Sequence, residues 1–172
     1  MWKHRGSIEH GSRAHRRQRQ PPISLARIGR LSLLADLYGE IVVPPAVWDE
    51  VTRRGIGAAE LAQAPWLSVQ RLGDTRLAEQ LVGTSGLGRG ESEAIALAHE
   101  RGALVLLDDR PARRKAAELG LSVTGTLGLL LDAKHAGLID ALRPLVDDLV
   151  RMEARFSGRL MQDILELAGE DT

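Results

Sequence analysis

Cysteine is absent from the 172-residue chain, which excludes a disulfide framework and any metal site built on thiolates. Aromatic residues make up only 3% of the chain, so a stacking platform for single-stranded nucleic acid is not expected. No apolar run approaches the length of a membrane span, and the first residues contain no apolar signal-peptide core. These absences leave a cytoplasmic globular protein, with no membrane partner, as the expectation.

Charge is distributed unevenly, although the net charge is zero. Residues 1–22 carry six Lys or Arg and one acid, a net charge of +5, whereas the remaining residues carry 17 Lys or Arg and 22 acids, a net charge of −5. A basic arm can bind nucleic acid, but its composition favours a disordered tail. We therefore expect a disordered basic leader over residues 1–21 and one domain over residues 22–172, a length that suits a single core.

Short apolar segments alternate with segments of helical spacing. The predicted strands are "EIVVPP", "WLSVQRL", "ALVLL" and "LSVTG", and a helical segment follows each of them. A further helical segment ends at Gly39, and two amphipathic helices are predicted over Leu138–Phe156 and Gly158–Glu170. This alternation predicts an α/β fold with a parallel sheet and helices on both faces.

Acidic residues stand where strands end and helices begin. Asp108 and Asp109 end a buried strand, Glu50 lies in the helix after the first strand, and Glu91 opens the helix after the loop "GTSGLGRG". These ends meet at one edge of a parallel sheet, where carboxylates stay ionised only beside a cation such as Mg²⁺ or Mn²⁺. Such a site activates water and stabilises a phosphoryl transition state. Plainer interpretations are an exposed Glu50, a Glu91 favoured by the helix dipole, and an aspartate that caps the next helix.

Basic and hydroxyl side chains surround the two aspartates in the sequence. They are candidates for contact with RNA phosphates: Arg110, Arg113, Arg114, Thr124 and Thr126. A solvated helix face and an ordinary capped turn remain open as alternatives. The glycine-rich loop matches neither a phosphate-binding Walker motif nor a dinucleotide fingerprint, and a lid or simple connection is favoured.

Four segments together resemble the PIN-domain family, in an uncharacterised branch grouped with VapC-like toxin ribonucleases. They run from about Pro22 to Glu170 and read "ISLARIGRLSLLADLYGEIVVPPAVWDEV", "GLGRGESEAIALA", "VLLDDRPARRKAAELGLSVTGTLGLLLDAKHAGLI" and "ILELAGE". The resemblance implies a three-layer α/β/α fold and Mg²⁺- or Mn²⁺-dependent cleavage of single-stranded RNA. It also implies a cognate antitoxin protein and a homodimer.

The acidic residues of the family map onto this chain position by position. The resemblance implies that Glu50, Glu91 and one of the adjacent pair Asp108 and Asp109 are catalytic metal ligands, and both members of the pair are kept as candidates. The cations that follow the pair would then face phosphate.

The chain departs from the family at its first strand, which normally ends in a metal-binding aspartate. The corresponding segment is "HRRQRQPPI", residues 15–23, where Gln18 or a neighbour stands in place of that aspartate. Charged side chains without partners cannot occupy a strand that is buried on both faces. We therefore expect the first strand to be degenerate.

A shift of reading frame offers an explanation for this segment. If the arginine codons begin with CG, reading one base forward permits Ile-Val-Val-Ser-Asp-Ser just before Pro21. Residues 1 to about 20 would then be out-of-frame translation, and the basic leader would carry no information about nucleic acid.

Three functions remain open at this point. The first is a metal-dependent endoribonuclease, and the second is a catalytically impaired PIN remnant that only binds a partner. The third, a nucleotide- or ligand-binding α/β domain, is disfavoured because both nucleotide-binding fingerprints are missing.

Overall fold

The computed structural model describes residues 21–55, 57–152 and 156–170. The leader predicted over residues 1–21 therefore lies outside the described residues, except for Pro21, where the first helix begins. The helices are α1 Pro21–Arg27, α2 Leu33–Tyr38, α3 Pro45–Arg54, α4 Ala58–Ala62, α5 Arg76–Ser85, α6 Arg89–Arg101, α7 Arg110–Glu118, α8 Thr126–His135, α9 Arg143–Arg151 and α10 Gly158–Leu167. The strands are β1 Ile41–Val43, β2 Leu67–Val69, β3 Val105–Leu106 and β4 Val123–Thr124.

All four predicted strands are present, and they pair in parallel. β1 pairs with β2 in the register Ile41 to Leu67, and β3 pairs with β4 in the register Val105 to Val123. A helix follows each strand, as the alternation of the sequence predicts, and the whole is consistent with the three-layer α/β/α PIN-like fold. Over the described ranges the strands form two separate two-stranded sheets.

One edge of β1 has no strand partner among the described residues. The N–H of Ile41 donates to the carbonyl oxygen of Trp66 over 2.8 Å. The carbonyl oxygen of Val43 accepts from the N–H of Gln70 over 2.9 Å. Because alternate residues of a parallel strand turn their backbone groups to opposite sides, the N–H and carbonyl of Val42 point to the other edge.

The same pattern holds for β3. The N–H of Val105 donates to Ser122, and the N–H of Leu107 donates to Thr124. The backbone groups of Leu106 therefore point away from β4. Each two-stranded sheet thus has an edge on its first strand, at Val42 in β1 and at Leu106 in β3, where a further strand could pair.

Two clusters of buried side chains form the core. The larger one joins α1, α2, β1, α8, α9 and α10, and it contains Leu34, Leu129 and Leu130, all fully buried. The smaller one joins α5, α6, β3 and α7 around Ile95 and Leu107. Burying one Leu or Ile side chain contributes about 1.5–3 kcal/mol, so both clusters stabilise the elements that carry the candidate site.

Several helix boundaries differ from the sequence predictions. The helical segment that ends at Gly39 is two helices, because Gly29 takes a left-handed conformation (φ 64°) and Arg30 N–H bonds back to Leu25. The helix predicted from Leu138 begins at Arg143, since a proline suits only the first turn of a helix and Pro144 lies there. None of the helices in the described ranges combines the length and apolarity that crossing a bilayer requires.

Candidate active site

Asp108 is fixed at the end of β3 by the first residue of α8. The N–H of Thr126 donates to Oδ1 over 2.7 Å, and its hydroxyl donates to Oδ2 over 2.6 Å. Thr126 is fully buried. Both carboxylate oxygens are therefore engaged by one rigid residue, which sets the direction of the side chain.

Gly125 is required for this arrangement. A Cβ added at this position would lie 2.7 Å from Oδ1 of Asp108 and 2.6 Å from Nη1 of Arg113. Three residues on, a Cβ at Gly128 would collide with the hydroxyl of Thr124. The two glycines of "TGTLG" thus allow close packing against Asp108, Arg113 and Thr124. This packing agrees with a strand-to-helix turn, which was one of the interpretations left open by the sequence.

Asp109 has a different environment from its neighbour. It precedes α7, and its Oδ2 accepts the N–H of Ala112 over 3.1 Å. This is the capping role that the sequence offered as an alternative for one of the two aspartates. The structure therefore separates the pair: Asp109 caps a helix, whereas Asp108 is held by the neighbouring strand–helix turn.

Glu50 lies on α3 and forms an ion pair within its own helix. Its Oε1 accepts from Nη2 of Arg54 over 2.7 Å, and its side chain is 12% exposed. The carboxylate charge is thereby neutralised in a part-buried position.

Glu91 stands in the first turn of α6, two residues after the helix begins at Arg89. The glycine-rich connection is shorter than predicted, since α5 continues through Gly83 to Ser85. Oε2 of Glu91 accepts the N–H of Gly88 over 2.9 Å, and the residue is 5% exposed. This contact agrees with the interpretation of Glu91 as an acid that is favoured at the start of a helix.

Glu93, on the same helix, has a structural contact that the sequence gave no reason to expect. Its Oε2 accepts the N–H of Ala46 in the first turn of α3, and its Oε1 accepts from Arg89 over 2.7 Å. It thereby ties α6 to the start of α3. Only a tertiary contact reveals this role, because nothing local distinguishes Glu93 from an exposed acid.

The predicted acids are only partly brought together. Glu50 and Gly90, the neighbour of Glu91, line one cleft between the packed helices α3 and α6, and neither Asp108 nor Asp109 lines it. Within the described ranges, no group of three or more His, Asp or Glu side chains is arranged to hold a metal ion. The position of the family's first aspartate, at Gln18 or a neighbour, lies outside the described residues. The donor set described here therefore does not fit a complete Mg²⁺ or Mn²⁺ centre.

The candidate RNA-contacting residues divide into exposed and internal ones. Arg110 is exposed, and Arg114 is 78% exposed, with Glu118 at 3.9 Å. Arg113 donates through Nη1 to the carbonyl of Leu107 over 3.1 Å. Thr124 and Thr126 pack inside the turn around Asp108, so their contacts in this structure are with the protein itself.

The sequence gave no indication of the basic side chains that line the cleft. This cleft, which we call the α3–α6 cleft, has a volume of about 330 Å³. Its lining consists of Ala46, Asp49, Glu50, Arg53, Arg54, Arg89 and Gly90. The arginines come from two helices that are distant in sequence, so no single segment of the sequence predicts that they lie together.

Comparison with models of known protein families identifies the family of this chain. A family model described as a PIN domain matches residues 20–170, nearly the whole chain. The chain belongs to the PIN-domain family. PIN domains are generally nucleases and usually bind divalent metals. Comparison with curated protein sequences and with solved structures gives no significant match.

Proposed function

We propose that this PIN-domain chain is a cytoplasmic endoribonuclease that cleaves single-stranded RNA with Mg²⁺ or Mn²⁺. We further propose that it is the toxin of a toxin–antitoxin pair and that it forms a homodimer silenced by a cognate antitoxin protein. As the sequence stands, its activity is strongly impaired, because the residue at the first acidic position of the family is not an acid.

The positions of the remaining acids in a PIN-domain chain, together with their burial, support the nuclease proposal. Glu91 is 5% exposed, and the side chain of Glu50 is 12% exposed. Asp108 is part-buried and held through both carboxylate oxygens. A carboxylate is rarely buried unless it is paired or hydrogen-bonded, because its desolvation is costly, and each of these three has such a contact. The resemblance to the family implies that Glu50, Glu91 and either Asp108 or its neighbour Asp109 lie where its metal-binding acids stand.

The impairment follows from the chemistry of the donor set. Glu50 already shares its charge with Arg54, and the described residues contain no group of three acids for a metal. A neutral Gln at the first position supplies a carbonyl oxygen and no charge. Because hard cations are held mainly by carboxylate charge, losing one of a few acids reduces affinity by orders of magnitude.

The test compares two chains with a labelled single-stranded RNA and Mn²⁺. One is the chain as given, and the other has residues 15–20 replaced by Ile-Val-Val-Ser-Asp-Ser, which restores the strand and its acid. We expect the replaced chain to cleave RNA at least about 100-fold faster, a difference of about 2.7 kcal/mol in the barrier. Adding Asp108→Asn to the replaced chain is expected to remove this cleavage. A replaced chain that is folded and inactive would refute the nuclease proposal, and equal rates for the two chains would refute the impairment.

A second candidate is the non-catalytic remnant that only binds a partner. It is favoured by the exposed apolar side chains at one end of the chain, where Met152 is 46%, Leu160 is 45% and Leu167 is 64% exposed. Exposed apolar side chains mark a partner contact where they form one contiguous patch. Under this candidate the chain as given neither cleaves the labelled RNA nor binds Mn²⁺ at millimolar concentration, while Leu160→Ser with Leu167→Ser weakens self-association in sedimentation. Mn²⁺-dependent cleavage by the chain as given, however slow, excludes it.

A further inference from the structure

Three guanidinium groups converge on the α3–α6 cleft. Arg53 and Arg54 come from the last turn of α3, and Arg89 comes from the first residue of α6. Two acids, Asp49 and Glu50, share the lining. The lining itself holds three cations and two acids, and a third acid, Glu93, pairs with Arg89 beside it.

The structure orients each of these arginines. Nη2 of Arg54 is bound to Glu50, and Nε of Arg89 is bound to Glu93. Nε of Arg53 donates to the backbone carbonyl of Asp49, one turn earlier on α3, over 3.0 Å. Each of these contacts engages one edge or one nitrogen of a fork that carries five N–H donors. The guanidinium groups are thus oriented beside the cleft while keeping further donors.

We propose that the α3–α6 cleft binds a phosphate group of a single-stranded RNA, with Arg53 and Arg89 as its contacts. The planar fork of arginine matches the oxygens of a phosphodiester, and Arg89 is 76% exposed, so it can turn toward a strand lying across the cleft. Glu50 lines the same cleft, so the bound phosphate lies beside one of the acids of the proposed nuclease site. The choice of RNA as the ligand rests on the proposed function.

Binding is measured without metal, so that it is independent of cleavage. The probe is a fluorescein-labelled 2′-O-methyl uridine strand of about ten nucleotides, within the usual length of a single-strand site. Fluorescence anisotropy in EDTA gives the affinity of the full chain and of the variants Arg53→Gln, Arg89→Gln and their combination. The matched control is Arg159→Gln, because Arg159 is 92% exposed and faces Asp163 with the same i,i+4 spacing as Arg89 and Glu93.

The double variant is expected to bind at least about tenfold more weakly than the control, and each lost contact should reduce the salt-dependence slope by about 0.7. Thermal melts of all variants verify that the fold is kept. If the double variant binds as the control does, the cleft proposal is wrong. This result would leave the nuclease proposal intact if the chain with residues 15–20 replaced still cleaves RNA. The opposite combination would refute the nuclease proposal alone. In that case the double variant binds RNA more weakly than the control, but the chain with residues 15–20 replaced does not cleave RNA.

Discussion

At the scale of single residues, two neighbouring aspartates differ in what they contact. Asp108 is bound on both oxygens by Thr126, whereas Asp109 accepts one N–H at the start of α7. The sequence predicted the strand that places both of them, and it predicted that one aspartate could cap the helix. It could not tell which, because the choice depends on Thr126, which is 18 residues away.

Asp109→Ala is expected to lower the free energy of unfolding by about 1 kcal/mol, because the N–H of Ala112 loses its acceptor. Asp109→Asn should retain most of the stability, since Asn also caps helices well. Urea denaturation of the three proteins measures these differences. If the Ala and Asn variants unfold at the same urea concentration, Asp109 does not stabilise α7 as a cap.

Glu170 provides a prediction for pH dependence. Burial raises the pKa of Glu170, but the backbone N–H groups of Leu142 and Arg143 and the side chain of Lys134 outweigh it, so the pKa lies below its ordinary value of 4.5. A carboxylate with a lowered pKa stabilises the fold above its ordinary pKa, and that stabilisation is lost as the pH falls through the folded value.

Glu170→Gln should therefore destabilise the protein at pH 7, and the difference from the unchanged chain should shrink as the pH falls below 4.5. Urea midpoints between neutral and acidic pH measure it, with Glu166→Gln, on the exposed side of α10, as the control. A difference that stays constant down to acidic pH would show that the carboxylate charge is not the stabilising feature.

At the scale of elements, sequence patterns predict which segments form strands and helices better than where they end. Pro44 and Pro45 correctly announce the end of β1 and the start of α3. Apolar residues keep a helical spacing on both sides of Gly29, so the periodicity predicts one helix. The left-handed conformation of Gly29 divides this segment into two helices. The pairing of strands into two small sheets is a long-range outcome that no local pattern contains.

The turn before α8 leads to a prediction about two glycines. Gly125→Ala should destabilise the protein by about 1–3 kcal/mol, because the new methyl group would lie against Asp108 and Arg113. Gly83→Ala is the control, since Gly83 lies inside α5 with open space around it and should stabilise by about 0.8 kcal/mol. Equal effects of the two substitutions in thermal or urea unfolding would contradict the close packing around Asp108.

The strand edges at Val42 and Leu106 lead to a prediction for the replaced segment. Replacing residues 15–20 by Ile-Val-Val-Ser-Asp-Ser should raise the free energy of unfolding by about 3 kcal/mol or more, from burial of the new apolar side chains. A chain with Ser-Gly-Ser-Gly-Ser-Gly at the same positions controls for the removal of three arginines. If both replacements unfold alike, the new segment does not join the sheet.

At the scale of the whole molecule, the α/β alternation and the family segments suffice to predict the fold class, whereas the assignment of acids to a site stays a prediction. The α3–α6 cleft was not predictable, because Arg53 and Arg89 come close only when α3 packs on α6. Glu93 was missed for the same reason, since its partner Ala46 is 47 residues away. Contacts of this range are decided by packing, which a pattern of residue types does not contain.

The most direct test of the account is a calorimetric titration with Mn²⁺ of the chain as given and of the chain with residues 15–20 replaced. The account predicts clear binding to the replaced chain and binding at least about tenfold weaker, by about 1.4 kcal/mol, to the chain as given. Equally tight binding to both would contradict it, because the acids Glu50, Glu91 and Asp108 would then complete the metal site without a further acid.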